Sequence, residues 1–547
     1  MSEQKTMKEK LLTGSAWMTA GSILSRILGA IYIIPWYSWF GADRLQANAL
    51  YTKGYTVYSI FLMIAISGIP SAVAKQVAYY NSKNEYLISK RLFKVSFWAL
   101  FMVGVICTVI FWSIAPLISQ GDMRIVSIYR SLALALLIIP TMSLLRGYFQ
   151  GYQEMAPSAL SQLLEQFIRI IYMLAATFIT IKVLGESYEV GVWQSTFAAF
   201  VGAIGGTLIL VWYYLRHRQR LNQLAEQSVN RLVVSDLALI KEVFSQAMPF
   251  IFIACAMSTF NLIDQFSFPF IFKQLTNYSM EQINAFYALF AGNANKVIMI
   301  VVALSTALAT TAIPLLSEAV AKKERKLTQK QLLNALELLF FIMLPAVLGM
   351  AAVSRPLYLV FYGYDELGIY VLAVSAYMTL AICLFNVLGS LLQGVYENRR
   401  AIRYTALGLI LKLILQYPLT ATLGVFGPIL ATGISMLLAS YFMFSYLYYR
   451  FDLQPQKLQF NVNLMAIFSL VMFGGVLLLV TGLTKLFPGN NRFLALGILL
   501  CAAIFGAGVY LFLCLKTGII RKILGEKIEI KLQKIFFIKE SSSHEIR

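Results

Sequence analysis

Charge is scarce in this chain. Of 547 residues only 13% are Asp, Glu, Lys or Arg, while 59% are hydrophobic. A soluble domain carries roughly twice that charge fraction, so a water-facing globular fold is excluded. There are two histidines, His217 and His544, both in polar segments. That argues against a histidine-based metal centre or a Ser-His-Asp triad, and no metal site is expected. The five cysteines, Cys107, Cys255, Cys383, Cys501 and Cys514, all fall in apolar runs and none forms CxxC. They read as small buried hydrophobes, not as disulfides or ligands. No Walker A sequence is present, which argues against direct ATP hydrolysis. A cleavable signal peptide is not expected either. Met1–Lys10 is polar and basic, but the apolar segment after it is full length and lacks a small-residue cleavage site.

What is there is hydrophobic length. Runs of about twenty apolar residues recur along the chain, the mark of an all-α polytopic membrane protein. They predict about fourteen spans, approximately 13–36, 49–74, 92–116, 126–149, 157–181, 190–215, 243–272, 284–313, 333–353, 367–392, 404–421, 428–449, 461–484 and 493–515. The net charge of +20 is concentrated in alternate connecting segments and in the C-terminal tail. That asymmetry places both termini in the cytoplasm. The basic excess therefore reads as topology and attraction to anionic inner-leaflet lipid, not as nucleic-acid binding.

The second half repeats the first. GIPSAVAKQVAYYNSKNE around Pro70 is echoed by AIPLLSEAVAKKE around Pro314, and Gln150-Gly151 by Gln393-Gly394, at offsets of 244 and 243. Six spans is an even number, so both units enter from the same side and the repeat is parallel. The expected domains are an N-lobe (1–215), a cytoplasmic linker (216–242) and a C-lobe (243–449). Two extra helices (450–515) and a basic cytoplasmic tail (516–547) follow. Paired lobes predict a central cavity and alternating access. A scaffold in a membrane complex is the other reading, but a scaffold needs no charges at mid-membrane depth.

Such charges occur. Arg26 lies near the centre of Thr13–Gly41. A mid-membrane arginine is unfavourable by roughly 2.5–3.5 kcal/mol, so it should face protein or a watery cavity. Gly29 and Pro35 in the same segment, and Pro249 in span seven, are candidate hinges. Lys296 sits in AGNANKVIMIVV beside Asn293 and Asn295, and is a second cavity-lining candidate. Arg146 either snorkels from the end of span four or reaches substrate. Arg169 either pairs with Glu165 as an i,i+4 bridge or faces substrate. Lys412, in span eleven, is a candidate on the side of the extra helices. Asp264, in NLIDQFSFPF, is a lone intramembrane acid that would bind a coupling Na+ or H+ or neutralise a cation. No other cofactor is expected.

SRILG at Ser25–Gly29, GIPSAVAK, LLRGYFQGYQEMAPSALSQLLEQFIR at Leu144–Arg169 and AIPLLSEA at Ala312–Ala319 resemble the polysaccharide-exporter branch of the multidrug/oligosaccharidyl-lipid/polysaccharide flippases. Within it the chain looks most like the MurJ-type lipid II flippases of Gram-positive bacteria, over essentially its whole length. The resemblance implies that Arg26, with Ser25, belongs to a motif needed for flipping. It also implies that the basic position early in span eight is Lys296 or Asn295, that the extra helices form a groove for a lipid tail, and that the protein is a monomer. Two family features are missing: a second arginine within Ala30–Ile34, and an aspartate in the first outer loop, where Asn48 is nearer the family position than Asp43.

The expected function is transport, not enzymology: flipping of an undecaprenyl-pyrophosphate-linked cell-wall precursor, lipid II, to the outer leaflet of the bacterial plasma membrane. The substrate-binding candidates are Arg26, Lys296, Asn295, Arg146, Arg169 and Ser25. The alternatives are a capsule, teichoic-acid or other polysaccharide precursor, a MATE-like drug/cation antiporter, and a membrane glycosyl-transfer enzyme. The last should group acids at an outer face, and here they are scattered.

Overall fold

The computed structural model of the chain describes residue 29 and residues 32–119, 121–229, 232, 234–454, 456–489 and 491–536. Among the described residues there are helices and turns and no strand. In a bilayer the backbone has no water to bond, so an open chain must satisfy itself as helix. Twelve segments are long and apolar enough to cross. One of them, Asn398–Phe451, is two helices joined by a 3-10 turn at Gly424–Phe426, so the described residues hold thirteen crossings. The first predicted span, 13–36, lies largely outside them.

Packing divides the chain between Gly292 and Asn293, inside a π-helical stretch, Ala288–Ala294. The first unit contains α1 (Ile33–Trp39), α2 (Arg44–Ile66), α3 (Ile69–Ser82), α4 (Tyr86–Ile118), α5 (Met123–Gly151), α6 (Ala156–Phe178), α7 (Tyr188–Glu226), α8 (Asp236–Leu275) and α9 (Met280–Tyr287). Helix α5 is its centre and packs on α2, α3, α4, α6 and α7. Its Leu132, Ala133, Ala135 and Leu136 are fully buried. The connection after α7 is pinned to the α3–α4 turn. Val229 donates its N–H to the Asn84 carbonyl (3.1 Å), Leu232 donates its N–H to Glu85 Oε1 (3.1 Å), and Arg91 pairs with Asp236 (2.6 Å). This anchoring lays α8 against α2, α3 and α4.

The second unit contains α10 (Asn295–Ala321), α11 (Arg325–Ala352), α12 (Ser354–Tyr362), α13 (Glu366–Gly394), α14 (Asn398–Leu423), α15 (Gly427–Phe451), α16 (Gln456–Leu486), α17 (Arg492–Lys516), α18 (Ile519–Leu524) and α19 (Glu526–Ile535). Helix α13 is central here, against α10, α11, α14 and α15, and α16 and α17 pack on each other and on α11.

The repeat reappears as backbone geometry. After α5, the N–H groups of Tyr152, Gln153 and Glu154 bond to the carbonyls of Tyr148, Gln150 and Phe149. After α13, Val395, Tyr396 and Glu397 bond to Leu391, Gln393 and Leu392, the same pattern 243 positions on. Gln153 and Tyr396 both adopt left-handed φ, 62° and 63°. The two quoted motifs touch in each unit. A Cβ on Gly147 would lie 2.5 Å from the Pro70 carbonyl oxygen, so only glycine permits that approach. In the second unit Ser317 Oγ donates to the Gly394 carbonyl at 3.0 Å.

Candidate functional site

Arg26, Ser25 and most of the SRILG motif lie outside the described residues. Gly29 is described, and a Cβ there would lie 3.5 Å from Gln166 Nε2. Pro35 falls in the first turn of α1, where its missing N–H has no helical partner to lose. The backbone runs helical through position 249.

In the first unit, Arg146 at the end of α5 does not snorkel. Its guanidinium turns to α6, donating to Ser161 Oγ (2.9 Å) and pairing with Glu165 at 2.7 Å, with 15% and 22% of the two side chains exposed. Glu165 is therefore bridged to Arg146, and the expected i,i+4 bridge to Arg169 is corrected. The i,i+4 spacing puts Glu165 and Arg169 on one face of α6, but α5 brings a better-placed arginine. Arg169 instead lies over the Tyr55 ring, 5.5 Å from its centroid. Tyr51 and Tyr32 share its field and hydrogen-bond to each other. Tyr51 and Tyr55 are stacked at 5.0 Å. Aromatic faces attract a guanidinium through their ring quadrupoles, in addition to the field of Glu165 nearby.

A second cluster joins α2, α5 and α9. Lys53, 5% exposed, donates to Asn284 Oδ1 at 2.7 Å and lies 6.0 Å from the Tyr287 ring centroid. Asp264, 7% exposed in α8, acts electrostatically on the same Tyr287. A narrow cleft above Lys53 is lined by Gln46, Asp122, Arg124, Tyr188 and Glu281. Asp122 caps α5 through the Arg124 N–H (3.1 Å) and takes both arms of its guanidinium (2.9 and 3.0 Å). Partial burial opposes ionisation of Asp122, but these bonds prevail and hold its carboxyl below the ordinary value of 3.8.

In the second unit, the π-helical stretch presents Asn293 to α12. Its side chain donates to the Tyr358 hydroxyl (2.8 Å), and Tyr362 donates to its carbonyl (3.0 Å). Asn295 and Lys296 follow at the start of α10, both partly buried. Lys412 is fully buried in α14, and its ammonium donates to the Pro428 carbonyl (2.8 Å) and Thr432 Oγ1 (2.7 Å) of α15. Its ammonium thus bonds to the neighbouring helix of the lobe.

Lys53 and Arg130 also lie within predicted spans, although neither is among the sequence candidates. Arg130 stacks its guanidinium over Trp112 at 5.3 Å. The signal that finds Lys53 is the repeat. A shift of 243 positions carries Lys53 onto Lys296, Asp122 onto Asp365, and Arg169 onto Lys412. Asp122 and Asp365 also match in role, each capping the helix that follows. Buried or partly buried cations thus recur at two matched positions of the duplicated unit.

A helical bundle with these cations inside its spans defines a multi-pass membrane transporter, not an enzyme. The polysaccharide biosynthesis protein family model matches residues 11–320. The lipid II flippase MurJ of Bacillus subtilis (strain 168) is 32% identical over 539 residues, covering 95% of this chain and 98% of that protein. A solved structure of a lipid II flippase MurJ in an inward closed conformation superposes with a TM-score of 0.63 at 14% identity, covering 93% of this chain and 99% of that one. An inward-facing MATE family multidrug transporter of the MOP superfamily superposes with 0.62 at 15% identity, covering 77% and 94%. The chain belongs to the polysaccharide biosynthesis protein family and to the family of the MurJ flippases.

Proposed function

We propose that this protein flips an undecaprenyl-pyrophosphate-linked cell-wall precursor, lipid II, from the inner to the outer leaflet by alternating access. The observation that carries the reading is the 32% identity to the Bacillus subtilis lipid II flippase over nearly the whole of both chains. The excess of basic over acidic side chains within the spans supports it. A pyrophosphate needs cations, and arginine suits it through its fork. Arg26, Lys296 with Asn295, and Arg169 are the proposed contacts, and the geometry adds Lys53. Arg146 is committed to Glu165 and acts by positioning α6.

With both termini cytoplasmic, the inside-negative potential favours outward movement of an anion, by about 2.3 kcal/mol per charge per 100 mV. A flippase driven in this way needs no ATPase. Asp264 is the proposed site of a co-moving Na+ or H+, and the working unit is a monomer. The test is complementation of a strain depleted of its lipid II flippase, with outer-leaflet lipid II measured directly. Rescue with restored outer-leaflet lipid II is expected. Normal membrane expression without rescue would move the cargo to a capsule, teichoic-acid or other polysaccharide precursor.

A further inference from the structure

The basic segment after the last span is built into the second unit. Gly518 and Gly525 adopt left-handed φ of 70° and 86° and fold the chain back twice around α18. Ile519 and Ile520 are 4% and 0% exposed, and Leu532 of the following helix and Phe536 just past its end pack on the same apolar cluster of α11, α16 and α17. The carboxylate of Glu337 in α11, 8% exposed, is the polar anchor. It accepts from Asn461 of α16 and pairs with Lys522 of α18 at 3.1 Å.

The opposite face of α19 is uncovered. At 100° per residue, Lys534, Lys531, Ile535 and Ile528 form one continuous arc. All four are exposed, the isoleucines at 67% and 42%. The acids of this helix do not share that arc's charge. Glu526 and Glu529 pair with Arg521, at 3.1 and 3.9 Å; the Glu529 side chain is 12% exposed, and the Glu526 side chain, 64% exposed, lies off the arc. What faces outward is a row of lysines flanked by isoleucines, on a helix that starts ten residues after Lys516 closes the last span. That is the pattern of a helix lying in a membrane interface, with apolar residues in the acyl boundary and lysines on anionic headgroups.

We propose that α19 is a two-faced strap. Its inner face packs through Leu532 on the apolar cluster that also buries α18, which the Glu337–Lys522 pair ties to α11, and its outer face binds anionic phospholipid of the leaflet beside it. The proposal rests on the membrane placement of the spans and is independent of the cargo, so its failure leaves the flippase reading untouched.

The test is hydrogen exchange of the full chain in nanodiscs of phosphatidylcholine, with or without one third phosphatidylglycerol. Each lysine at an anionic surface contributes about a fivefold factor. Amides of 526–536 should therefore exchange about tenfold or more slowly with phosphatidylglycerol. K531E/K534E should bring them to the phosphatidylcholine rate while leaving 519–524 protected, because neither lysine touches the inner face. I528S/I535S should shrink the effect. Equal exchange in the two lipids would overturn the proposal, as would a lipid effect that survives K531E/K534E. Protection reproduced in phosphatidylcholine by soluble glycerol phosphate would also overturn it, by showing a free-anion site instead of a surface.

Discussion

Arg146 Nη2 lies 2.7 Å from Glu165 Oε2, a bridge between two helices that engages the acid four residues before Arg169. Two arginines compete for one carboxylate, and the one on the neighbouring helix holds it. Arg169 is left among tyrosines, still charged and oriented by ring faces.

Breaking the bridge from one side should therefore destabilise the first unit. Glu165→Leu leaves a mostly buried guanidinium without its partner, a loss of about 2–3 kcal/mol after allowing for partial exposure. The apparent Tm in detergent should fall by several degrees. The double variant Arg146→Leu/Glu165→Leu should recover most of the loss, since two apolar side chains replace a pair that was costly to desolvate. A double variant as unstable as the single one would contradict the pairing.

Arg169→Lys keeps the charge and loses the planar fork that lies over Tyr55. Complementation should drop sharply at normal membrane levels, and outer-leaflet lipid II should fall with it. Full rescue by the lysine variant would show that a point charge suffices and that the tyrosine nest has no part in orientation.

Lys53 and Lys412 make opposite predictions although both are buried. Lys412 donates to a carbonyl that Thr432 also donates to, so Lys412→Met leaves the Pro428 oxygen bonded. That variant should complement, and its stability should be unchanged or raised. Lys53 stands beside a polar cleft, and Lys53→Met should abolish complementation while Lys53→Arg retains it. The same growth assay, with membrane levels measured by blotting, checks all three.

Two glycines separate close approach from mere composition. A methyl on Gly147 would lie 2.5 Å from the Pro70 oxygen, and one on Gly389 would meet nothing within 4 Å. Gly147→Ala must push two helices apart and should cost about 3 kcal/mol or more, at the upper end of overpacking. Gly389→Ala, in mid-helix, should stabilise by up to about 1 kcal/mol. Thermal unfolding of the two purified variants against the parent decides both signs.

The sequence by itself determined what depends on sums over a local window. Mean hydropathy over twenty residues located the spans, because transfer into hydrocarbon adds residue by residue. The Gln-Gly and Pro motifs exposed the duplication, and their turns superpose in backbone geometry because the same short-range hydrogen bonds close each one. Charges at membrane depth were legible for the same reason, although Lys53 became conspicuous only when the repeat carried it onto Lys296. Tertiary structure decided who meets whom. That Glu165 bridges to Arg146, that Lys412 bonds to α15, and that α18 is held to Glu337 depend on distances between helices far apart in the chain. Helical periodicity sets the face a side chain occupies, but only packing sets what stands opposite that face.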